Sequence, residues 1–391
     1  MAVEAEMKNK ALILTVGMLI ILLVSVFASI EFLNTRQSTP KFFVGVEMAY
    51  ANATFNDVKD LVDKVKDYTN LFVIGSPGIS LNQTLLNMTS DYIFNAGLYF
   101  IVLFTDTQQY DLDNKPKDWI PKAKEKYGEK FLAVYRFDEP GGRVLDRVND
   151  SFINDMSVGE IANYSKAAGA YVEGVYGHMA YYLYVSPSVL TADYGLYWFD
   201  YKGMYSSVLA EFIGNQSREL SVALCRGAAS AHDKSWGSII GWKYDNARPY
   251  IESADELYDD LTLSYRAGAK YAVVFDYPKI DRYGILTEDH FTALKNFWNY
   301  VQRNPQDYGV ERGEVAYVLP SVYGFGFRSA VDHVWLWDAD ELSQKVWDDA
   351  NALLSKYGSK LDIVYDDAET FAAIQKRYSK LFFWNETIPV D

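Results

Sequence analysis

From Lys41 to Gln302 the chain alternates short apolar runs with amphipathic stretches, and this alternation constrains the fold more than any other feature. The apolar runs are Phe42 to Val46, Leu71 to Ile74, Tyr99 to Phe104, Phe131 to Phe137, Val189 to Ala192, Ser206 to Ala210, Ser238 to Trp242 and Tyr271 to Phe275. Each has the length and composition of a strand buried on both faces, as parallel sheets require. Helical patterns separate them. Thr54 to Thr69 places Val58, Leu61, Val62 and Val65 on one face, and Leu81 to Asn95 stops at Gly97. Lys117 to Tyr127, Glu160 to Tyr182 and Ser217 to His232 follow, then a segment opened by a Ser253/Glu256 capping box and closed by Gly268, then Thr287 to Gln302. Eight such pairs within residues 41–305 predict a closed (β/α)8 TIM barrel. An open doubly wound sheet is the alternative; eight near-continuous apolar strands favour closure.

The flanks are different. Ala11 to Ile30 is twenty residues without a charge, long enough to span a bilayer core, and predicts one N-terminal transmembrane helix. Lys8 and Lys10 before it favour an inside N-terminus. Val26 and Ala28 would also suit a cleavable signal, but the run exceeds a usual signal core, so a retained anchor is expected. Residues 1–40 thus form a cytoplasmic stub, an anchor and a linker. Sequons at Asn52, Asn82, Asn87, Asn149, Asn163, Asn215 and Asn385 all follow the anchor, as expected for an extracellular, glycosylated body. After Asn304, Pro305 and Gln306 break the last helix, residues 306–391 read as a small α/β domain, partly flavodoxin-like. It has strands at Glu314 to Leu319, Leu361 to Tyr365 and Leu381 to Trp384, and a helix at Ala339 to Tyr357. Its YGFGF run at 323–327 fits no phosphate-loop pattern.

Several functions are excluded. The net charge of −15 argues against nucleic acid as a partner. The lone Cys225 forms no internal disulfide and reads as a buried thiol. The four histidines, His178, His232, His290 and His333, lack ligand spacing, so no zinc site is expected. No G-x-S-x-G elbow is present. No cofactor is expected.

In a barrel the C-terminal strand ends converge on one face, where catalytic residues sit. Here those ends read Glu47, Asp106, Asp138 with Glu139, Asp193, Glu211, Asp245 and Asp276, with Lys243 among them. Asp and Glu make up 52 of 391 residues, too few for chance to put acids at seven of eight tips. Crowded carboxylates split their pKa values, so one can hold a proton while another stays charged. Glycoside hydrolysis uses such a pair. Glu139 is the expected general acid and Glu211 the nucleophile or base, with Asp138 beside them. Glu47, Asp193, Lys243, Asp245 and Asp276 are candidate substrate contacts. Trp236, Trp242 and Tyr244, with Trp198 and Tyr201, are candidate stacking platforms for sugar rings. Divalent-metal binding by the same acids is the competing chemistry.

The FLAVYRFDEPGG segment at 131–142 ends the fourth strand in a Glu. In this the chain resembles the clan A (β/α)8 glycoside hydrolases, and its layout is similar to family 42 β-galactosidases, in which an α/β domain follows the barrel. The resemblance implies a carbohydrate substrate and an acid/base Glu ending the fourth strand, usually preceded by Asn. Glu139 takes that place, with Asp138 before it. The clan's nucleophile is a Glu ending the seventh strand. This chain instead reads Trp242, Lys243, Tyr244, Asp245 there, and its nearest Glu is Glu211. A membrane-anchored glycoside hydrolase is one expectation. A non-catalytic surface protein that binds glycan or builds the envelope is the other.

Overall fold

The structure, a computed structural model, describes residues 40–104, 115–148, 153, 161–244 and 247–388. The expected anchor at 11–30 lies outside them, and among the described residues no helix is long and apolar enough to cross a membrane. In chain order the first half comprises β1 (Phe43–Met48), α1 (Phe55–Val65), β2 (Leu71–Ile74), α2 (Pro77–Ser80), α3 (Gln83–Asn95), β3 (Tyr99–Phe104), α4 (Lys115–Tyr127), β4 (Phe131–Arg136) and α5 (Pro140–Leu145). Then come α6 (Tyr164–Val185), β5 (Val189–Asp193), α7 (Tyr197–Lys202), β6 (Ser207–Phe212), α8 (Arg218–Ala231), β7 (Ser235–Ile240), α9 (Ala254–Arg266), β8 (Tyr271–Asp276) and α10 (Glu288–Arg303).

The eight strands are parallel and closed in sequence order. Closure is the pairing of β8 with β1 from Phe43↔Tyr271 to Met48↔Asp276, which an open sheet lacks. Side chains alternate along each strand. One set, including Phe43, Val73, Ile101, Tyr135, Leu209, Ile239 and Tyr271, fills the lumen. The other, including Val44, Val46, Val134, Val208, Trp236 and Val274, packs under the helices. Each such side chain contributes about 1.5–3 kcal/mol by leaving water. At Gly45 a side chain would strike the Leu71 carbonyl of β2, so glycine is required where those strands approach. The capping boxes at Thr54/Asp57 and Ser253/Glu256 both form.

Most strand bounds shift by a residue or two from expectation, and the largest changes are at β6 and β7. β6 runs on through Glu211 to Phe212, and β7 starts at Ser235 and ends at Ile240, three residues before the expected start and two before the expected end. The reason is the ladder: Ser207↔Ser235 to Phe212↔Ile240 pairs these strands throughout, although Ser235 and Gly237 interrupt the apolar run.

Beyond the barrel lie β9 (Val315–Pro320), α11 (Glu341–Tyr357), β10 (Leu361–Asp366), α12 (Phe371–Arg377) and β11 (Lys380–Phe383). The strands form a separate parallel sheet in the order β10-β9-β11. It packs on α8 of the barrel. Arg226 of α8, 3% exposed, donates to Asp362 at 2.8 Å and to the carbonyls of Glu311, Ser359 and Leu361. Gly227 beside it lets the Ile363 backbone approach.

Candidate active site

The C-terminal end of the barrel holds a cleft of about 500 Å³, lined by Tyr135, Asp138, Glu139, Glu211, Ile213, Gly214, Gln216, Ile239, Gly241, Trp242, Lys243, Phe275 and Tyr277. Strand parity explains who reaches it. Counting from the lumen residues Phe43, Leu209 and Ala133, the same face carries Glu47 on β1, Glu211 on β6 and Tyr135 on β4. These three form the top layer of the barrel interior. Past β4 the chain turns sharply: Phe137 and Glu139 both adopt left-handed backbone angles, φ 54° and 55°. Such angles cost non-glycine residues on the order of 1–3 kcal/mol and concentrate at working sites. The turn carries Asp138 and Glu139 over the lumen, and Pro140, Gly141 and Gly142 begin α5.

Glu139 and Glu211 meet across the cleft floor and share a hydrogen bond between their carboxyl groups. Glu211 is 7% exposed. Burial holds its pKa well above the usual carboxyl range, reinforced by the negative charges of Glu139, Asp138 and Asp193. Glu139 is more open. Burial, then Asp138 and Asp193, push it up to about 7, and acceptance of the Glu211 hydrogen bond pulls it back. The pair therefore holds one proton near neutrality, and the deeper Glu211 keeps it. Asp138 is exposed in the cleft mouth yet crowded by the cleft walls. That crowding raises its pKa against the pull of the Tyr135 hydroxyl, which donates to it, and of Arg143. Glu47 lies beneath, 2% exposed, with a pKa raised by burial and by Asp138. Trp242 forms one wall. Its ring stacks on Tyr277 at 5.8 Å and 22°, and its indole N–H donates to the Tyr277 carbonyl at 2.6 Å.

The structure thus brings together Glu139, Glu211, Asp138, Trp242 and Lys243, with Glu47 below them. Lys243 does not neutralise the acids: its ammonium pairs with Glu256 of α9. Three expected contacts are corrected by parity. Asp193 and Asp276 fall on the outward phase of their strands, in register with Ala210 and Met48 of the outer layer, and both are fully buried away from the cleft. Asp193 accepts from backbone N–H groups; Asp276 accepts from the Tyr50 hydroxyl and the Ile285 N–H. Burial pushes each up to about 7. Trp236 precedes the lumen residue Gly237 and packs outside the barrel. Tyr244 is exposed and does not line the cleft. Trp198 and Tyr201 are core residues, Trp198 packing on Tyr365 and His232, and Tyr201 donating to the Ser235 carbonyl. Asp106 and Asp245 lie outside the described residues. Cys225 is free and buried. Among the described residues no group of His, Cys, Asp or Glu could hold a metal ion. The sequence reading missed Tyr135, Gln216, Phe275 and Tyr277. Period-two counting from Ala133 and Val273 would have found Tyr135 and Phe275.

No protein-family model matches this sequence, and no curated protein matches it. Solved structures do. An α-L-fucosidase (isoenzyme 2) from Paenibacillus thiaminolyticus superposes with a TM-score of 0.53 at 11% identity, covering 87% of this chain and 59% of that one. The likeness is one of fold: a closed barrel of eight parallel strands with helices outside. The catalytic module of a family 98 glycoside hydrolase from Streptococcus pneumoniae TIGR4 matches at a TM-score of 0.49 and 12% identity, covering 88% of this chain and 66% of its own. This chain thus spans less than two thirds of the length of either.

Proposed function

We propose that this chain is a glycoside hydrolase that cleaves oligo- or polysaccharide with the Glu139/Glu211 pair. The observation that carries the reading is the meeting of these two carboxyls, one from the turn after β4 and one from β6, on the floor of an aromatic-walled cleft at the C-terminal end of a barrel. A sugar ring stacks on Trp242 and Tyr277, with its anomeric carbon above the two acids. Glu211 donates its proton to the glycosidic oxygen as the bond from that oxygen to the anomeric carbon breaks. Glu139 attacks the same carbon and forms a glycosyl ester. Water then attacks that carbon, Glu211 takes the water's proton, and Glu139 leaves as a carboxylate. Two carboxyls this close fall short of the wider separation, about 6.5–9.5 Å, that an inverting pair uses to seat its water, which favours retention over inversion. This division of roles reverses the sequence expectation. Its physical basis is that the deeper acid keeps the proton.

We further place the body outside the cell, tethered by residues 11–30. Support comes from that uncharged run and from the exposure of the sequon asparagines Asn52, Asn82, Asn87, Asn163, Asn215 and Asn385; Asn149 lies outside the described residues.

Aryl glycosides test the roles. Glu139→Ala should regain turnover with azide and give a glycosyl azide, whereas Glu211→Ala should keep activity only on substrates whose leaving group needs no proton. The opposite pattern would restore the original assignment. Absence of turnover on any glycan, with binding retained, would leave a glycan-binding protein.

A further inference from the structure

We infer that Asp193 is a positioning residue for Glu139: its carboxylate ties the Glu139 loop to the loop that follows β5. The effect on turnover rests on the glycosidase reading above; the geometry does not. Asp193 accepts from four backbone N–H groups, those of Gly141 at 2.5 Å, Gly142 at 2.8 Å, Tyr194 at 2.8 Å and Gly195 at 3.2 Å. Two of these donors stand two and three residues after Glu139, so the clamp closes directly behind the left-handed turn that aims that side chain. The Glu139 N–H itself donates to the Ala192 carbonyl at 3.0 Å, one residue before Asp193. The fit explains the glycine pair. A β-carbon at Gly142 would collide with the Tyr194 ring, and one at Gly141 with the Gly195 carbonyl and with Asp193. At the far end of α5 the Tyr194 hydroxyl donates to Asp146 at 2.6 Å, a second tie between the same two segments.

The four backbone donors favour the ionised form of Asp193 against the burial that raises its pKa to about 7, and hydrogen bonds to a charged acceptor are the strong ones. The neighbouring Asp200 accounts for the remaining proton. It is fully buried and accepts from Tyr171 at 2.5 Å through one oxygen; its other oxygen meets no donor and belongs to a carboxyl that hydrogen-bonds Asp193. Asp200 is the neutral donor of that pair. Asp193 therefore holds the loop and, in its ionised form, also sets a negative charge beside Glu139. The other titratable and charged groups facing Glu139 are Asp138 on its own loop, the protonated Glu211 from β6 and Arg143 from α5. Removing the Asp193 charge lowers the pH at which Glu139 titrates.

The experiment compares Asp193→Asn with wild type by two readouts. One is the carboxyl-carbon NMR titration of Glu139, assigned by its loss in Glu139→Gln; the other is steady-state turnover of a cleaved glycoside. The expected result is a Glu139 titration moved to lower pH, with kcat reduced about a hundredfold by displacement of the loop and KM held within about threefold. Asp200→Asn, equally buried, keeps a neutral donor to Asp193 and should leave both readouts at the wild-type value. An unchanged titration and kcat in Asp193→Asn overturn the inference, as do equal changes in Asp200→Asn. Should Asp193→Asn not fold, Gly142→Ala opens the same clamp from the loop side and must lower kcat at constant KM. If wild type cleaves no glycan while the titration still moves, the glycosidase reading fails and the positioning role stands.

Discussion

Asp276 offers the sharpest quantitative prediction. Its carboxyl is fully buried at the end of β8, and burial pushes its pKa from an ordinary 3.8 up to about 7 even though the Tyr50 hydroxyl and the Ile285 N–H both donate to it. An acid whose folded-state pKa lies above its unfolded value binds more protons in the folded state across the interval between them. Stability then falls as pH rises through that interval, by about 1.4 kcal/mol per pH unit for each such group. Between pH 5 and pH 7 the unfolded carboxyl is already charged while the folded one still holds its proton. Asp276 alone therefore removes roughly 3 kcal/mol of stability over that window, and nothing further above pH 8. Asp276→Asn keeps an acceptor for the Ile285 N–H and cannot ionise. Urea unfolding of both proteins at pH 5 and pH 8 is the assay. Whatever the variant's baseline, its stability relative to wild type should improve by roughly 3 kcal/mol from pH 5 to pH 8. Parallel pH dependences would refute the reasoning, because Asp276 would then be ionised in the folded protein at pH 5.

Three further outcomes follow from the same geometry. Glu139→Gln and Glu211→Gln should each lower kcat/KM by at least about a hundredfold on natural glycans, and the acid limb of the wild-type kcat/KM profile should bend near pH 7, where Glu139 titrates. Trp242→Ala removes the stacked wall and should raise KM by about tenfold, equivalent to roughly 1.4 kcal/mol of lost aromatic contact, with kcat little altered; an unchanged KM by steady-state kinetics would move the sugar elsewhere. Arg226→Ala leaves Asp362 buried without its cation, with only the Tyr378 hydroxyl still donating to it, and should cost about 3–5 kcal/mol in chemical unfolding, with the β9–β11 sheet exchanging its amide protons faster than the barrel.

The barrel was legible because parallel strands buried on both faces leave a plain record, eight apolar runs separated by amphipathic helices. Glu139 was legible for the same reason: Pro140 and the glycines mark where β4 must end. Counting acids at strand tips without their phase misled the rest. Thr191 and Val274 already place Asp193 and Asp276 on the outward face, and that parity lay in the sequence. The start of β7 did not, since Ser235 and Gly237 hide a strand that only its ladder with β6 reveals. Nor did the meeting of Glu139 with Glu211. It depends on barrel closure, which sets β4 and β6 on either side of β5, and on a left-handed turn that no local preference of Phe137 or Glu139 announces. The Lys243–Glu256 pair is likewise a product of how α9 returns to the mouth.

The most direct test of the central claim is reducing-sugar release from a broad panel of polysaccharides and oligosaccharides by the full chain, with Glu139→Gln assayed alongside. Wild type should release sugar, and the variant should lose that activity by at least about a hundredfold. Release undiminished in Glu139→Gln, or none by wild type across the panel, would contradict the claim.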